Sequence, residues 1–269
     1  MAQRIEIFTD RERYERKLSH LVRKGYFLAD LHVHTTRSDG TASPHKVIAR
    51  AAENGFHVAI ADHNLILEFK ALTQKEKKSV IPAIEIKSKE GIDVLAYFYK
   101  AEELEKFYNA RIRPRKISPY YTSIPLVELI SMLSKERCVI NIPHSNYPRA
   151  ERRTNFTRRY AGLRKDILTK IDAFEAFNSS EDPAQNREAT RSAKELGKAM
   201  AVGSDAHVLK AVGNAINYCK AKDYTEFLDN LSERKTAMIA IKTPYIHAKL
   251  MSSGKVALMK LKGVLGFKE

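Results

Sequence analysis

The chain has 269 residues, 43% of them hydrophobic and 29% charged, with a formal net charge of +15 at pH 7. This is enough apolar material for a full core, and one α/β barrel could use the whole chain. Only two cysteines occur, which argues against a disulfide framework and predicts a reducing, cytoplasmic location. No apolar run reaches the length of a transmembrane helix. The positive charge indicates an anionic partner (a phosphorylated metabolite, nucleic acid or a membrane face) or simply a basic surface.

Strand-like runs alternate with helical patterns along the chain. In order, we predict a strand at 25–33, a helix at 43–55, strands at 57–63, 79–88 and 91–99, helices at 102–113 and 124–136, strands at 137–144 and 170–178, a helix at 183–197, a strand at 198–207, a helix at 224–233 and a strand at 235–242. Ser43, Pro44 and Gly55 are typical of the start and end of the first helix. The alternation predicts parallel strands with crossover helices in one domain spanning 1–269.

Histidines and carboxylates follow these predicted strands. In the stretch "ADLHVHTTRSDG", residues 29–40, the alternation of an extended backbone turns His32 and His34 to the same side. Other strand ends carry Asp62 with His63, Glu85, His144, and Asp205 with His207. Each alone is explained by a turn, a helix cap or a hydrogen-bonded histidine. Together they predict a site at the carboxyl-end face of a barrel, with a donor mixture that suits zinc, manganese or iron.

The motifs "DLHVHTTRSDG", "IADHN", "AIEI", "IPHS" and "VGSDAH", in that order, resemble those of the PHP (polymerase and histidinol phosphatase) superfamily over residues 27–215. The resemblance implies a distorted (β/α)7 TIM-like barrel with two or three divalent metal ions. It also implies three sets of metal ligands: His32, His34, Glu85 and Asp205 for one ion, Glu85 and His144 for a second, and Asp39, His63 and His207 for a third.

The chain departs from the family pattern at one position. The family usually has a histidine at the start of the strand after the glutamate, where this chain has Asp93. Because aspartate is an oxygen donor, we expect Asp93 to complete the second ion's shell; the alternative is a strand-edge turn residue and a weak site. We expect Asp62 to orient a ligand from behind, since metal-bound histidines need an acceptor for their other nitrogen.

The predicted chemistry is hydrolysis of a phosphomonoester, in a nucleotide or another small phosphorylated molecule. The nucleophile would be a water activated by the ions that His32, His34, Glu85 and Asp205 hold. We expect Arg149, Asn178 and Arg187 to contact the substrate phosphate, since guanidinium matches phosphate geometry; a solvated loop explains Arg149 about equally well. The segment 216–269 is expected to supply a closing strand and helix and a basic tail packed on the domain.

Three other functions remain open from the sequence. An exonuclease or phosphodiesterase acting on short single strands fits the net charge and the basic insert at 109–121, where Tyr120 and Tyr121 could stack bases. A catalytically silent scaffold is the alternative outside enzymology, although every matched position keeps a side chain able to bind metal. A metal-dependent amide hydrolase fits less well, because no lysine stands at a strand end as that chemistry normally requires.

Overall fold

The computed structural model describes residues 3–144 and 165–242. The strands within these ranges are β1 Ile5–Phe8, β2 Phe27–Val33, β3 His57–Ile60, β4 Val80–Ile81, β5 Ala83–Lys87, β6 Asp93–Phe98, β7 Lys116–Ser118, β8 Tyr121–Thr122, β9 Cys138–Ile142, β10 Ala173–Asn178, β11 Ala199–Gly203, β12 Ala215–Cys219 and β13 Ala237–Ile241. The helices are α1 Arg11–Arg23, α2 Pro44–Glu53, α3 Gln74–Lys77, α4 Ala101–Phe107, α5 Leu126–Leu133, α6 Lys165–Leu168, α7 Pro183–Glu195 and α8 Tyr224–Ser232.

Two sheets and a small hairpin contain these strands. The first sheet has the order β1-β13-β12-β2-β3-β4, the second has the order β11-β10-β9-β6-β5, and β7 pairs with β8. The pairs β2–β3, β3–β4, β9–β10 and β10–β11 are parallel, as their intervening segments allow. Most of the strands that carry or precede a metal-ligand motif therefore point their carboxyl ends in the same direction.

Antiparallel pairs interrupt the predicted parallel order. The strand β6 runs antiparallel to both β5 and β9, and β12 runs antiparallel to β2 and β13. The link between β5 and β6 is too short for a crossover, so a hairpin is the only connection available to it. Gly91 lies in that link with a φ of 81°, a conformation that glycine adopts without a steric penalty.

Both edge strands of the second sheet, β5 and β11, reach the first sheet beside its interior strands β2 and β3. Isolated parallel bridges join Val33 to Ala206 and His63 to Glu85, so each edge contact lies beside a predicted metal ligand. The mixed α/β class is confirmed. Among the described residues no continuous ladder joins the sheets, and a closed ring of strands stays a prediction.

Buried hydrophobic residues of the strands and of the helices together form the core. All residues of β2 and of β6 are buried, as expected of strands covered on both faces. The helix α2 begins where predicted: Ser43 accepts a hydrogen bond from the amide of Lys46, Pro44 is its first residue, and Gly55 follows its end with a φ of 73°. Cys138 and Cys219 are free thiols. Over residues 3–144 and 165–242, none of the helices is long and apolar enough to cross a membrane.

The sequence patterns missed the first two elements. The strand β1 pairs with β13 at the edge of the first sheet, and α1 follows it with Asp10 as its N-cap. The helix buries Tyr14, Leu18 and Leu21 at helical spacing. The tail at 243–269 lies outside the described residues.

Candidate metal centre

The predicted ligands gather at the carboxyl ends of strands from both sheets. His32 belongs to β2 and Glu85 to β5, while His144 follows β9 and Asp205 follows β11. The bridges Val33–Ala206 and His63–Glu85 fasten the sheets at this same rim. Residues far apart in the sequence therefore reach one place because both edges of the second sheet meet the ends of β2 and β3 there.

The first predicted set of ligands forms one compact group. His32 Nε2 lies 3.1 Å from His34 Nε2 and 3.6 Å from Asp205 Oδ1, and His34 Nε2 lies 3.2 Å from the same oxygen. The two carboxylate oxygens of Glu85 are each 3.5 Å from one of these nitrogens. Donors that each stand about 2.1 Å from one ion are about 3.0–3.4 Å apart. His32, His34 and Asp205 thus have the spacing of ligands around a single ion, whereas Glu85 forms a neighbouring group with His32 and His144.

A second group lies next to the first and includes the third predicted set. Asp39 Oδ2 is 3.2 Å from His207 Nε2 and 3.6 Å from His63 Nε2, and Asp39 Oδ1 is 3.6 Å from His34 Nδ1. The candidate ligand atoms of these four residues all lie within 4.8 Å of one another. His34 therefore faces both groups, one with each ring nitrogen.

His144 and Asp93 approach Glu85 from different sides. His144 Nε2 lies 3.3 Å from Glu85 Oε1, in a group with His32, whereas Asp93 belongs to a group with Glu85 and His63. The predicted pairing of His144 with Asp93 around one ion does not appear as a group. Asp93 instead forms an ion pair with Lys87.

Buried polar atoms without a partner test whether cations fit this site. Nδ1 of His34 and Oδ1 of Asp93 are buried and make no hydrogen bond, and the buried oxygens of Glu85 face histidine rings, with His63 Nδ1 2.7 Å from Oε2 and His144 Nε2 3.3 Å from Oε1. Leaving such groups unsatisfied is costly, and a buried carboxylate most of all. A divalent cation would satisfy them together, and the nitrogen and oxygen donors suit zinc, manganese or iron. The residues present therefore fit the ions that the sequence predicted.

The electrostatics of the group show strong mutual attraction. Burial alone would raise the pKa of Glu85, but the imidazoles of His63 and His32 hold it well below its usual value. Burial alone would lower the pKa of His207, yet hydrogen bonding to Asp39 and the charge of Asp205 raise it to about 9. In the absence of metal, protons on the imidazoles take the place of cations next to the carboxylates.

Two of the residues that bear the site have backbone conformations that are unusual for residues other than glycine. His144 has a φ of 30° and Asp205 a φ of 49°. Such conformations cost energy and occur most often at functional sites, where the surrounding structure enforces them. At these positions the His144 side chain reaches Glu85 and the Asp205 side chain reaches His32 and His34.

Glu175, which the sequence analysis missed, positions His32. Its Oε1 lies 2.9 Å from His32 Nδ1, and its Oε2 accepts hydrogen bonds from the amide of His144 and from Asn178 Nδ2. A glutamate inside the apolar run "AFEAFN" was the available signal, because carboxylates are rarely buried without a partner. Gly203 makes room for this contact: an added Cβ would lie 2.2 Å from Glu175 Oε1.

Asp62 and Asn178 have partners other than those predicted. Asp62 accepts hydrogen bonds from Thr35 and Ser38, so it holds the turn that carries Asp39 and not a histidine ring. Asn178 Nδ2 donates to Glu175 and, at 3.2 Å, to Asp205 Oδ2. This places Asn178 behind the ligands.

Arg187 lies away from the candidate ligands. Arg187 lines a separate cavity of about 640 Å³ between α7 and the ends of β1 and β13, together with Arg11 and Lys242. None of the candidate ligands lines that cavity. Arg149 lies outside the described residues.

The β7–β8 hairpin borders the same face. Tyr120 lies in the turn of this hairpin, and its ring is edge-on to His63 with 5.6 Å between ring centroids. Asn64 links the hairpin to β5: its side chain donates a hydrogen bond to the carbonyl of Pro119 and accepts one from the amide of Lys87. The basic insert noted in the sequence thus brings an aromatic ring to the metal centre.

Comparison with known proteins gives one family match and several similar structures. A family model described as PHP-associated matches residues 183–236, which include Asp205 and His207. No curated protein matches the sequence.

Three solved structures illustrate the shared fold. A candidate metal-dependent phosphoesterase from Bifidobacterium adolescentis is 19% identical, with a TM-score of 0.51 over 66% of this chain and 87% of its own. A two-domain protein from Bacteroides vulgatus containing a predicted PHP-like metal-dependent phosphoesterase is 14% identical, with a TM-score of 0.55 over 89% of this chain and 69% of its own. The lesion-specific endonuclease PfuEndoQ from Pyrococcus furiosus is 17% identical, with a TM-score of 0.55 over 79% of this chain and 57% of its own.

At these identities the similarity to solved structures speaks to the fold alone. The PHP-associated segment adds a match in the sequence itself, and it falls on two of the candidate ligands. Residues 183–236 of this chain therefore match a PHP-associated family, and the fold is similar to that of a PHP-like protein.

Proposed function

We propose that the chain is a metal-dependent phosphoesterase that hydrolyses a phosphomonoester, in a nucleotide or another small phosphorylated molecule. The observation that carries the proposal is the spacing of buried imidazole and carboxylate donors at one rim. His32, His34 and Asp205 stand 3.1–3.6 Å apart, as ligands of one ion do. Glu85 and His34 each face more than one group, which suits a cluster of ions.

The chain would hold two or three ions of zinc, manganese or iron. The candidate ligand sets are His32, His34, Glu85 and Asp205; Glu85 and His144; and Asp39, His63 and His207. Divalent ions held there would neutralise phosphate oxygens and lower the pKa of a water molecule to about 7. The protein's part is to fix the donors: Glu175 orients His32, and Asn178 holds Asp205. Contacts of Arg149 and Arg187 with the substrate remain predictions.

A nucleotide is the preferred substrate within this class. Tyr120 reaches the site through the β7–β8 hairpin and stands against His63, where its ring could stack on a base. We expect Tyr120→Ala to raise KM for a nucleoside monophosphate and to leave KM for glycerol phosphate unchanged. The matched control is Tyr121→Ala, because Tyr121 is 49% exposed.

The activity is tested by a screen of phosphomonoesters with added manganese, zinc or iron. Asp205→Asn should abolish turnover, because it removes the charge that faces His32 and His34. The variant should still fold, because asparagine tolerates the positive φ at this position. Glu188→Gln, on the exposed face of α7, should keep wild-type rates. No hydrolysis of any phosphate ester by the metal-loaded wild type would favour the scaffold role, and full activity in Asp205→Asn would refute the site assignment.

A nuclease acting on short single strands is the second candidate. The net charge of +15 favours it, and the structural neighbour from Pyrococcus furiosus is named as an endonuclease. Affinity for a polyanion falls steeply with salt because counterions are released, whereas binding of a small phosphate responds mildly. Measuring KM from low to moderate salt on a mononucleotide and on an oligonucleotide separates the two.

A further inference from the structure

Lys87 and Asp93 are paired by the backbone itself. They are direct cross-strand neighbours in the antiparallel β5–β6 pair, and the lysine Nζ contacts Asp93 Oδ2. Opposite charges at directly opposed positions of a sheet attract each other. The pairing therefore follows from the register of the hairpin and does not depend on one surface rotamer.

The same lysine lies on the metal side of its strand. Glu85 and Lys87 are two residues apart on β5, so their side chains leave the same face. The lysine side chain is only 17% exposed and that of Asp93 only 7%. Two opposite charges are thus held largely out of water beside Glu85.

Asp93 is also a candidate metal ligand. Its carboxylate groups with Glu85 and His63, with the candidate ligand atoms within 4.8 Å of one another. Its Oδ1 is buried without a hydrogen-bond partner. An ammonium ion and a divalent cation at this place would compete for the same carboxylate and repel each other.

We propose that this chain binds two divalent ions, and that the Lys87 ammonium takes the place of a third beside Asp93. The proposal rests on the metal-dependent function proposed above and specifies its metal content. The two ions would lie in the group of His32, His34, Glu85 and Asp205 and in the group of Asp39, His63 and His207. In this arrangement His144 stays hydrogen-bonded to Glu85, and Lys87 presents a fixed positive charge to an incoming phosphate.

Metal content measured without any assay of activity tests the proposal. Purified protein is equilibrated with buffered free Mn²⁺ or Zn²⁺, and bound metal is counted by elemental analysis against protein concentration. We expect two equivalents for the wild type and three for Lys87→Met, which removes the ammonium but keeps an unbranched stem. The double variant Lys87→Met/Asp93→Asn should return to two, and the exposed control Lys89→Met should stay at two.

Thermal unfolding monitored by circular dichroism supplies a second readout. Lys87→Met should gain more in melting temperature from added metal than the wild type does, because the extra ion binds only the folded state. Where the methionine variant does not fold, Lys87→Gln keeps a donor to Asp93 and should also bind three equivalents.

Three equivalents in the wild type, or two in folded Lys87 variants, would overturn the proposal. One equivalent in the wild type would also overturn the proposal, and none would count against the metal-dependent function itself. Two equivalents with no phosphatase activity would leave the ion count supported and refute only the proposed reaction.

Discussion

His32 and Glu175 form a buried pair that fixes which ring nitrogen of the histidine faces the metal centre. Glu175 Oε1 lies 2.9 Å from His32 Nδ1, and the other nitrogen, Nε2, points at His34 and Asp205. Because the carboxylate accepts a hydrogen bond from Nδ1–H, the proton stays on Nδ1 and Nε2 keeps its lone pair for a cation. The Glu175 carboxylate therefore sets both the tautomer and the orientation of His32, a candidate metal ligand.

The first prediction follows from that pair. Glu175→Gln should weaken metal binding about 10- to 100-fold, because the amide can turn a donor toward His32 and loses an acceptor for His144 or Asn178. Titration calorimetry with Mn²⁺ measures the change. Glu188→Gln makes the same chemical change on an exposed helix face and should bind like the wild type. Equal affinities in both variants would remove Glu175 from the account of the site.

Gly203 supplies a steric test of the same contact. In Gly203→Ala the new Cβ would lie 2.2 Å from Glu175 Oε1 and 2.6 Å from His32 Cβ. Both neighbours are buried, so we expect a loss of about 1–3 kcal/mol in the free energy of unfolding and weaker metal binding. Urea unfolding and the calorimetric titration report the two effects separately. A variant with unchanged stability and unchanged metal affinity would show that this approach is not as tight as the geometry indicates.

The candidate metal ligands were easier to predict than the residues that support them. His32, His34, Glu85 and Asp205 stand at strand ends and belong to an ordered set of motifs, so the sequence shows both their chemistry and their location. Glu175 lies within an apolar strand, and its partners are distant along the chain, so only the fold reveals its role. The pairing of Lys87 with Asp93 depends on the register of one hairpin. The predicted parallel order failed at that same hairpin, because nothing in the alternation of elements sets strand direction.

Metal uptake should release protons. In the metal-free protein, burial lowers the pKa of His207 but Asp39 and Asp205 together raise it to about 9, so the ring is protonated at pH 7.5. Binding requires the neutral ring, so affinity should rise with pH between about 6 and 9. Calorimetry in two buffers of different ionisation enthalpy measures the protons released. His207→Ala should release fewer, and identical binding enthalpies in both buffers would contradict the prediction.

His57 should make the fold sensitive to acid independently of the metal centre. It lies at the start of β3, stacked on Phe27 with 3.9 Å between ring centroids, and its Nδ1 is 3.2 Å from the carbonyl oxygen of Leu28. Burial lowers its pKa below the usual 6.5, so the unfolded chain takes up the proton first as the pH falls. Stability from the neutral ring is therefore present above about pH 6.5 and is lost as the pH falls toward the lowered folded-state pKa.

In His57→Phe, which keeps the stack but cannot titrate, the free energy of unfolding should decline less between pH 7.5 and pH 5.5 than in the wild type. Urea unfolding at both pH values, at one fixed concentration of metal, gives the two differences. The matched control is His20→Phe on the exposed side of α1, which should decline as the wild type does. His57→Phe and the wild type share every other titrating group. A parallel decline in all three proteins would therefore place the acid sensitivity elsewhere in the chain.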